Sequence, residues 1–507
     1  MERFDLVVIG CGPAGERAAI HAARAGKRVV VVERAHVVGG NRVNWGTIPS
    51  KTLRESALFY LAVSRQKLHG IRVELEGAVS VADFMHRERQ VVQRELEFAS
   101  RSLSRYEIQV LHGHGRLHGA DRVVVELAGS REQRELVADV IVLATGSSPN
   151  RPADVPFDGS TVFDSETILS LPRLPRSLTV LGAGVIGVEY ASIFAALGIP
   201  VTLVDTRPQL LPYLDREIVT VFEAELSRLG VILLRNDRYR TIERVEGDPP
   251  TVRCHTVGGH LLESEALLYC VGRDGNSRDL GLETVGITPD AYGLVRVDEH
   301  YCTGVGRIYA VGDLIGYPAL ASTSMEQGRR AVRHAFGIAG ASGPTVDMPF
   351  AIYAIPEISY VGVTEEQARA RGVSPLIGLA HYAMNPRGQI LGDEGGLLKL
   401  VFDAGDGRLL GAHIVGSSAS ELIHIGQAFL RGHATAGQIA DTFYNYPTLS
   451  DLYRHAALVA ATGRARSRSF PPGHPWKAPP AAEPPTTTPP RSTQRTSRVE
   501  LQPAKGS

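Results

Sequence analysis

The sequence predicts an α/β protein built on two dinucleotide-binding βαβ units, and three observations predict it. Residues 5–34, "DLVVIGCGPAGERAAIHAARAGKRVVVVER", and 178–207, "LTVLGAGVIGVEYASIFAALGIPVTLVDTR", form a diverged internal repeat. Each copy reads as an apolar strand, a glycine turn, an Ala-rich helix and a β-branched strand. In each copy an acid stands 18 residues past the last glycine of the turn, Glu33 after Gly15 and Asp205 after Gly187.

The first turn is a GxGxxG directly after a strand. Gly10 permits the tight turn, Gly12 lets a pyrophosphate approach the backbone, and Gly15 allows close helix–strand packing. Gly182, Gly184 and Gly187 repeat the pattern. The following helix N-terminus stabilises phosphates through its free N–H groups and dipole. Glu33 and Asp205 lie near the spacing of ~20 residues expected of a carboxylate that binds ribose hydroxyls. One such turn can arise by chance in a chain with 53 glycines. Two, each in βαβ context with a matched acid, predict two Rossmann-like dinucleotide sites. A flavin in one and a nicotinamide nucleotide in the other would permit hydride transfer without a further prosthetic group.

The rest of the chain bounds the answer. Its 507 residues suggest about three domains, and Lys plus Arg (54) balance Asp plus Glu (54). That balance gives no sign of a nucleic-acid or membrane partner. Cys11, Cys254, Cys270 and Cys302 are scattered with no CxxC pair, which fits a reducing compartment and argues against structural disulfides or a cysteine-based zinc site. Met1 runs into "FDLVVIG" with no signal-peptide pattern. No run approaches the ~18 apolar residues of a membrane span, so a soluble, cytoplasmic protein with no metal site is expected. Residues 463–507 hold ten of the 30 prolines and eight Arg or Lys against two Glu. Their few aliphatics predict a disordered tail.

"IGCGPAG", "GGNRVNWGTIPSK", "LATGSSPNRP", "GAGVIGVEYASIF", "CVGRDGN" and "IYAVGDLIG" occur in that order. This series resembles the signatures of the FAD/NAD(P)-dependent pyridine nucleotide-disulfide oxidoreductases, the family of lipoamide dehydrogenase, glutathione reductase and mercuric reductase. The resemblance implies FAD in the first unit and NAD(P)H in the second. It implies an FAD domain at 1–150 resumed at 276–343, a nicotinamide domain at 151–275, and a C-terminal α+β dimerisation domain at 344–462. Gly40 and Thr47 of the opening loop, Thr145 and Gly146 of "LATGSS", Gly272 of "CVGRDGN" and Asp313 of "YAVGD" are implied cofactor contacts. A homodimer or larger homo-oligomer is implied as well.

Thiol-using members of that family carry two cysteines in the opening loop and an HPTxxE motif near the C-terminus. Here Arg42 and Thr47 stand at the cysteine positions, and "YPTLSD" puts Tyr446 and Asp451 where His and Glu would be. Tyrosine, with a pKa of ~10, is a poor proton shuttle for a thiol near neutrality. The losses are coupled, because a thiol acid/base has no task without thiols. "WGTIPSK" with "NYPT" is similar to the soluble pyridine nucleotide transhydrogenase subgroup. It implies a ping-pong cycle in which NADPH delivers, and NAD+ collects, a hydride by way of the flavin. Arg42 adds a cation near the flavin edge.

Pro49 is preorganised for a helix's first turn, which places Lys51 near the positive end of the helix dipole. The resemblance pairs Lys51 with Glu189 as the catalytic unit. Asp205 suits the ribose hydroxyls of NAD, while Arg207, two residues on, suits the 2′-phosphate of NADP. Two alternatives stay open: an NAD(P)H-dependent flavin reductase using a quinone, dye or oxygen, and a flavin-bound redox sensor or scaffold. A thiol–disulfide reductase would need cysteines that are absent.

Overall fold

The computed structural model describes residues 2–65, 79–339 and 348–462. The predicted tail, 463–507, and the expected start of the C-terminal domain at 344 lie outside the described residues.

Strand Glu2–Ile9 lies between Val29–Glu33 and Gln133–Leu143, parallel to both, and Ile308–Ala310 extends the sheet in parallel beyond Gln133–Leu143. Val29 to Val32 are all buried, as expected of a strand covered on both faces. Gln109–Leu117 serves two neighbours. Residues 109–112 pair in parallel with 30–33, and residues 113–117 pair antiparallel with Arg122–Leu127. Helix Pro13–Arg24 packs on helix Ala321–Phe336, and a Cβ added at Gly328 would lie 2.2 Å from the Ala14 carbonyl oxygen.

The second sheet is wholly parallel, in the order Val231–Leu234, Val201–Val204, Leu178–Leu181, Ala266–Tyr269, Val162–Asp164. Helix Val185–Ala196 is apolar on every side and buried from Gly187 to Ala196. A helix of that kind must be enclosed all round. Its outer face meets helices Thr47–Arg65 and Val81–Arg105, where the Phe84 and Phe194 rings lie tilted to each other with centroids 6.4 Å apart. One apolar cluster therefore joins Leu53 and Phe84, Phe194, and Ile352 and Ile358. Each fully buried side chain of this kind contributes about 1.5–3 kcal/mol. Lys51, two residues before Leu53 on the same helix, meets Glu189 of the buried helix.

Between the two sheets the chain passes through a small antiparallel ribbon, in which Ser147–Pro149 pairs with Arg273–Gly275. The last region is a five-stranded antiparallel sheet with helices Ala419–Arg431 and Leu452–Ala461. Lys399 of its strand Leu397–Asp403 is 1% exposed and contacts Asp215 at 3.0 Å, Glu217 at 2.6 Å and Glu365 at 2.7 Å. Asp215 caps helix Arg216–Arg228 behind the second sheet, so this node ties two regions together. The expected α/β class, with two βαβ units and a C-terminal α+β region, is the architecture found. Among the described residues, no helix is long and apolar enough to cross a membrane.

Candidate functional site

The two glycine turns have nearly the same geometry. A Cβ on Gly15 would sit 1.9 Å from the Gly10 carbonyl oxygen, and one on Gly187 would sit 1.8 Å from that of Gly182. Only glycine permits that helix–strand contact. Helices Pro13–Arg24 and Val185–Ala196 begin at Gly12 and Gly184, neither with a side-chain cap. Their first N–H groups are thus left for an anion. Opposite Gly12 lies Gly40, at φ 54°, where a Cβ would come within 2.6 Å of the Gly12 Cα. The helix Gly40–Asn44 thereby closes on the first turn.

Each acid is oriented by its own turn. Glu33 accepts hydrogen bonds from the Cys11 amide at 2.7 Å and the Ala35 amide at 2.8 Å. Asp205 accepts from the Ala183 and Arg207 amides, both at 2.8 Å. The Arg207 side chain also closes on Asp205, Nε at 2.9 Å and Nη2 at 2.6 Å. Burial opposes ionisation of Asp205, but the hydrogen bonds and charge of Arg207 outweigh it and hold the carboxyl below its ordinary range.

Lys51 and Glu189 meet. Lys51 Nζ donates to Glu189 Oε2 at 2.7 Å and to Oε1 at 2.8 Å, and the Tyr353 amide donates to Oε1 at 2.8 Å. The Lys51 ammonium also sits 5.0 Å from the Tyr353 ring centroid. Helix Thr47–Arg65 begins two residues before Pro49, so Lys51 falls in its second turn, slightly further from the positive end than the sequence suggests. Thr47, Lys51, Glu189 and Asp313 line one cleft of about 420 Å³, with Arg273 and Tyr353. Glu33, Asp205 and Arg207 lie outside its lining.

Asp313 accepts from Ser147 Oγ at 2.9 Å, and Arg273 donates to the Ser147 Oγ at 2.9 Å and carbonyl at 2.6 Å. Thr145 Oγ1 donates to the Asn276 carbonyl at 2.7 Å, and the Gly146 carbonyl accepts from the Asn276 amide at 2.9 Å. Gly272, at φ 85°, accepts from the Asn150 amide. Thr145, Gly146 and Gly272 therefore brace the ribbon rather than line the cleft. Sequence reasoning passed over Arg273 and Tyr353. Arg273 was readable as the basic member of "CVGRDGN"; Tyr353 belongs to no motif.

Arg42 turns to two carboxylates, Glu16 at 3.0 Å and Glu95 at 3.3 Å, with 13% of its side chain exposed. All four cysteines are free, and none lines the cleft. Burial, with the Glu33 and Glu16 carboxylates, pushes the Cys11 thiol far above its usual range, and burial does the same at Cys270. Neither thiol is a thiolate near neutrality. In the C-terminal region Tyr446 is exposed, while Asp451 is buried and held by Arg454 at 2.8 Å and His455 at 3.3 Å.

Comparisons with known proteins identify the family and the fold. Residues 4–328 match the family model described as pyridine nucleotide-disulphide oxidoreductase, and residues 348–457 match that family's dimerisation domain. The chain is 42% identical over 458 residues to the soluble pyridine nucleotide transhydrogenase of Mycobacterium tuberculosis, covering 90% of this chain and 97% of the relative. It is 40% identical over 464 residues to that of Chromohalobacter salexigens, with 90% and 98% covered. Among solved structures, LpdA from Mycobacterium tuberculosis superposes with a TM-score of 0.82 at 29% identity, covering 90% of this chain and 99% of that one. The HOCl-induced flavoprotein disulfide reductase RclA from Escherichia coli gives 0.80 at 28% identity, covering 90% and 100%.

Proposed function

The chain belongs to the pyridine nucleotide-disulphide oxidoreductase family, and from that premise we propose that it is an FAD-dependent transhydrogenase, moving a hydride between NADPH and NAD+ with no redox disulfide. The observation that carries this reading is the Lys51–Glu189 pair in a cleft whose lining contains no cysteine. FAD, when bound, supplies a two-electron store that a nicotinamide can fill or empty. The first glycine turn, Glu33 and Asp313 would hold it. The second turn, with Asp205 and Arg207, would hold either nicotinamide nucleotide.

Glu189 fixes the direction of the lysine, and the Tyr353 amide fixes Glu189. A cation set in place beforehand needs no reorganisation when negative charge develops nearby, which is where such groups are most effective. Thr47, at the position a reactive sulfur would take, can neither store nor relay electrons. With one nicotinamide site shared by both nucleotides, one would leave before the other enters, giving ping-pong kinetics. The dimerisation domain supports a homo-oligomer.

Anaerobic turnover of NADPH with a spectrally distinct NAD+ analogue tests the reading. Parallel double-reciprocal lines are expected. Failure to reduce the analogue, with brisk turnover of a quinone or dye, would replace it with the flavin-reductase alternative.

A further inference from the structure

The Arg42 cluster has no part in the proposed hydride transfer, yet it sits against the first dinucleotide turn. Glu16 lies in the first turn of helix Pro13–Arg24, whose N-terminus at Gly12 has no side-chain cap. A carboxylate there is 12% exposed, in the first turn of the helix whose N-terminus would take the pyrophosphate on the FAD reading. Its charge opposes that ligand. Arg42 Nη2 lies 3.0 Å from Glu16 Oε2, and the contact comes from the helix that closes over the turn at Gly40.

Cys11, the middle residue of the turn, marks how near these charges come. The Glu33 and Glu16 carboxylates and the Arg42 guanidinium all act on its thiol, the acids pushing it up and the arginine drawing it down. Other charges around Glu16 are Arg17 on its own helix and Glu95 on helix Val81–Arg105. Burial raises the Glu16 carboxyl above its ordinary range, against the pull of Arg42 and Arg17. Arg42 Nε is buried with no hydrogen-bond partner.

We propose that Arg42 is a flavin-retaining residue, which cancels the Glu16 carboxylate beside the pyrophosphate-binding turn and so slows release of FAD. This rests on the reading that the first unit binds FAD, and a wild-type protein purified without FAD would refute that reading rather than the role of Arg42.

The test follows FAD release from the intact protein by the rise of free-flavin fluorescence, at pH 7.5 and pH 5.5. Arg42→Met should release FAD about tenfold faster at pH 7.5, the scale of one uncompensated charge near a partly buried anion. The excess should be smaller at the lower pH, because burial favours the neutral form of the Glu16 carboxyl. Arg42→Met with Glu16→Gln should return to the wild-type rate at both pH values. Arg42→Lys, which keeps the charge, should stay near wild type and controls for folding. Glu95→Gln, which loosens only the second contact, should release FAD no faster. Unchanged release from Arg42→Met overturns the proposal. So does fast release that ignores pH and is not rescued by Glu16→Gln, because the arginine would then be a mechanical fastener only.

Discussion

Arg207 and Asp205, the two residues suited to opposite nicotinamide nucleotides, are each other's ligand. Two guanidinium nitrogens and one amide of Arg207 occupy the carboxylate, whose remaining approach is taken by the Ala183 amide. A ribose hydroxyl must compete with Arg207 for Asp205, and a 2′-phosphate must draw Arg207 off an acid that is 3% exposed. On the proposed reading each nucleotide would meet a cost that the other shares, which would even out the preference.

Arg207→Ala should therefore weaken NADPH by about tenfold or more, the scale of ~1.4 kcal/mol, while NADH binds as well or better. Asp205→Ala should do the reverse. Dissociation constants from titration of the second site give the answer. Equal weakening of both nucleotides by Arg207→Ala would show that the pair merely braces the loop.

Lys51→Met should slow reduction of the bound flavin by NADPH about a hundredfold, the usual scale for losing one preorganised electrostatic group. Glu189→Gln should be slowed too, and the double variant should lose less than the product of the single defects, because the two act as one unit. Stopped-flow absorbance of the flavin reads the rates. Strictly multiplicative defects would mean that the 2.7 Å contact has no part in the step.

Anaerobic titration with NADPH should reach its end point at one equivalent per flavin, and arsenite should leave the reduced protein fully active. Arsenite captures paired thiols, and the cleft lining holds none. Uptake of four electrons per flavin would overturn the thiol-free reading.

Lys399→Met should lower stability by roughly 3–5 kcal/mol, because it leaves buried carboxylates without their cation. Burial opposes the charge on Lys399, but Asp215, Glu217 and Glu365 outweigh it and raise the lysine above its ordinary range. A raised lysine contributes fully below its unfolded value and fails only as pH climbs through the folded one, so neutral pH leaves it intact. Glu365 is opposed by burial but held below its ordinary range by Lys399 and Arg369. Its share is present above the unfolded value and is lost as pH falls through the folded one. The gap in melting temperature between wild type and Lys399→Met should hold near neutrality and narrow below about pH 4.5. A gap that widens on acidification would contradict this sign.

The glycine turns were legible because both the φ angles and the Gly15 and Gly187 contacts leave no choice of residue. Pairs that cross the chain were legible only through the family pattern. Nothing in the composition around Lys51 points 138 residues ahead to Glu189. The brace formed by Thr145, Gly146, Asn276 and Arg273 was less legible, since its bonds run largely through main-chain carbonyls that any residue supplies. Arg42 shows the converse. Its charge was plain in the sequence, but its effect depended on Glu16 and Glu95, which helix packing alone brings to it.

The ribbon of Ser147–Pro149 against Arg273–Gly275 has a consequence for how such a chain can be rebuilt. The points where the backbone leaves and re-enters are neighbours in an antiparallel pair, Ser148 opposite Asp274, so their Cα atoms stand only about 5 Å apart. A segment with its two ends so close is a cassette. A two-residue turn could close the gap after excision, and a module from a relative could be spliced in without moving the first sheet. Duplication of one βαβ unit and its insertion at such a point would also give the diverged repeat at 5–34 and 178–207.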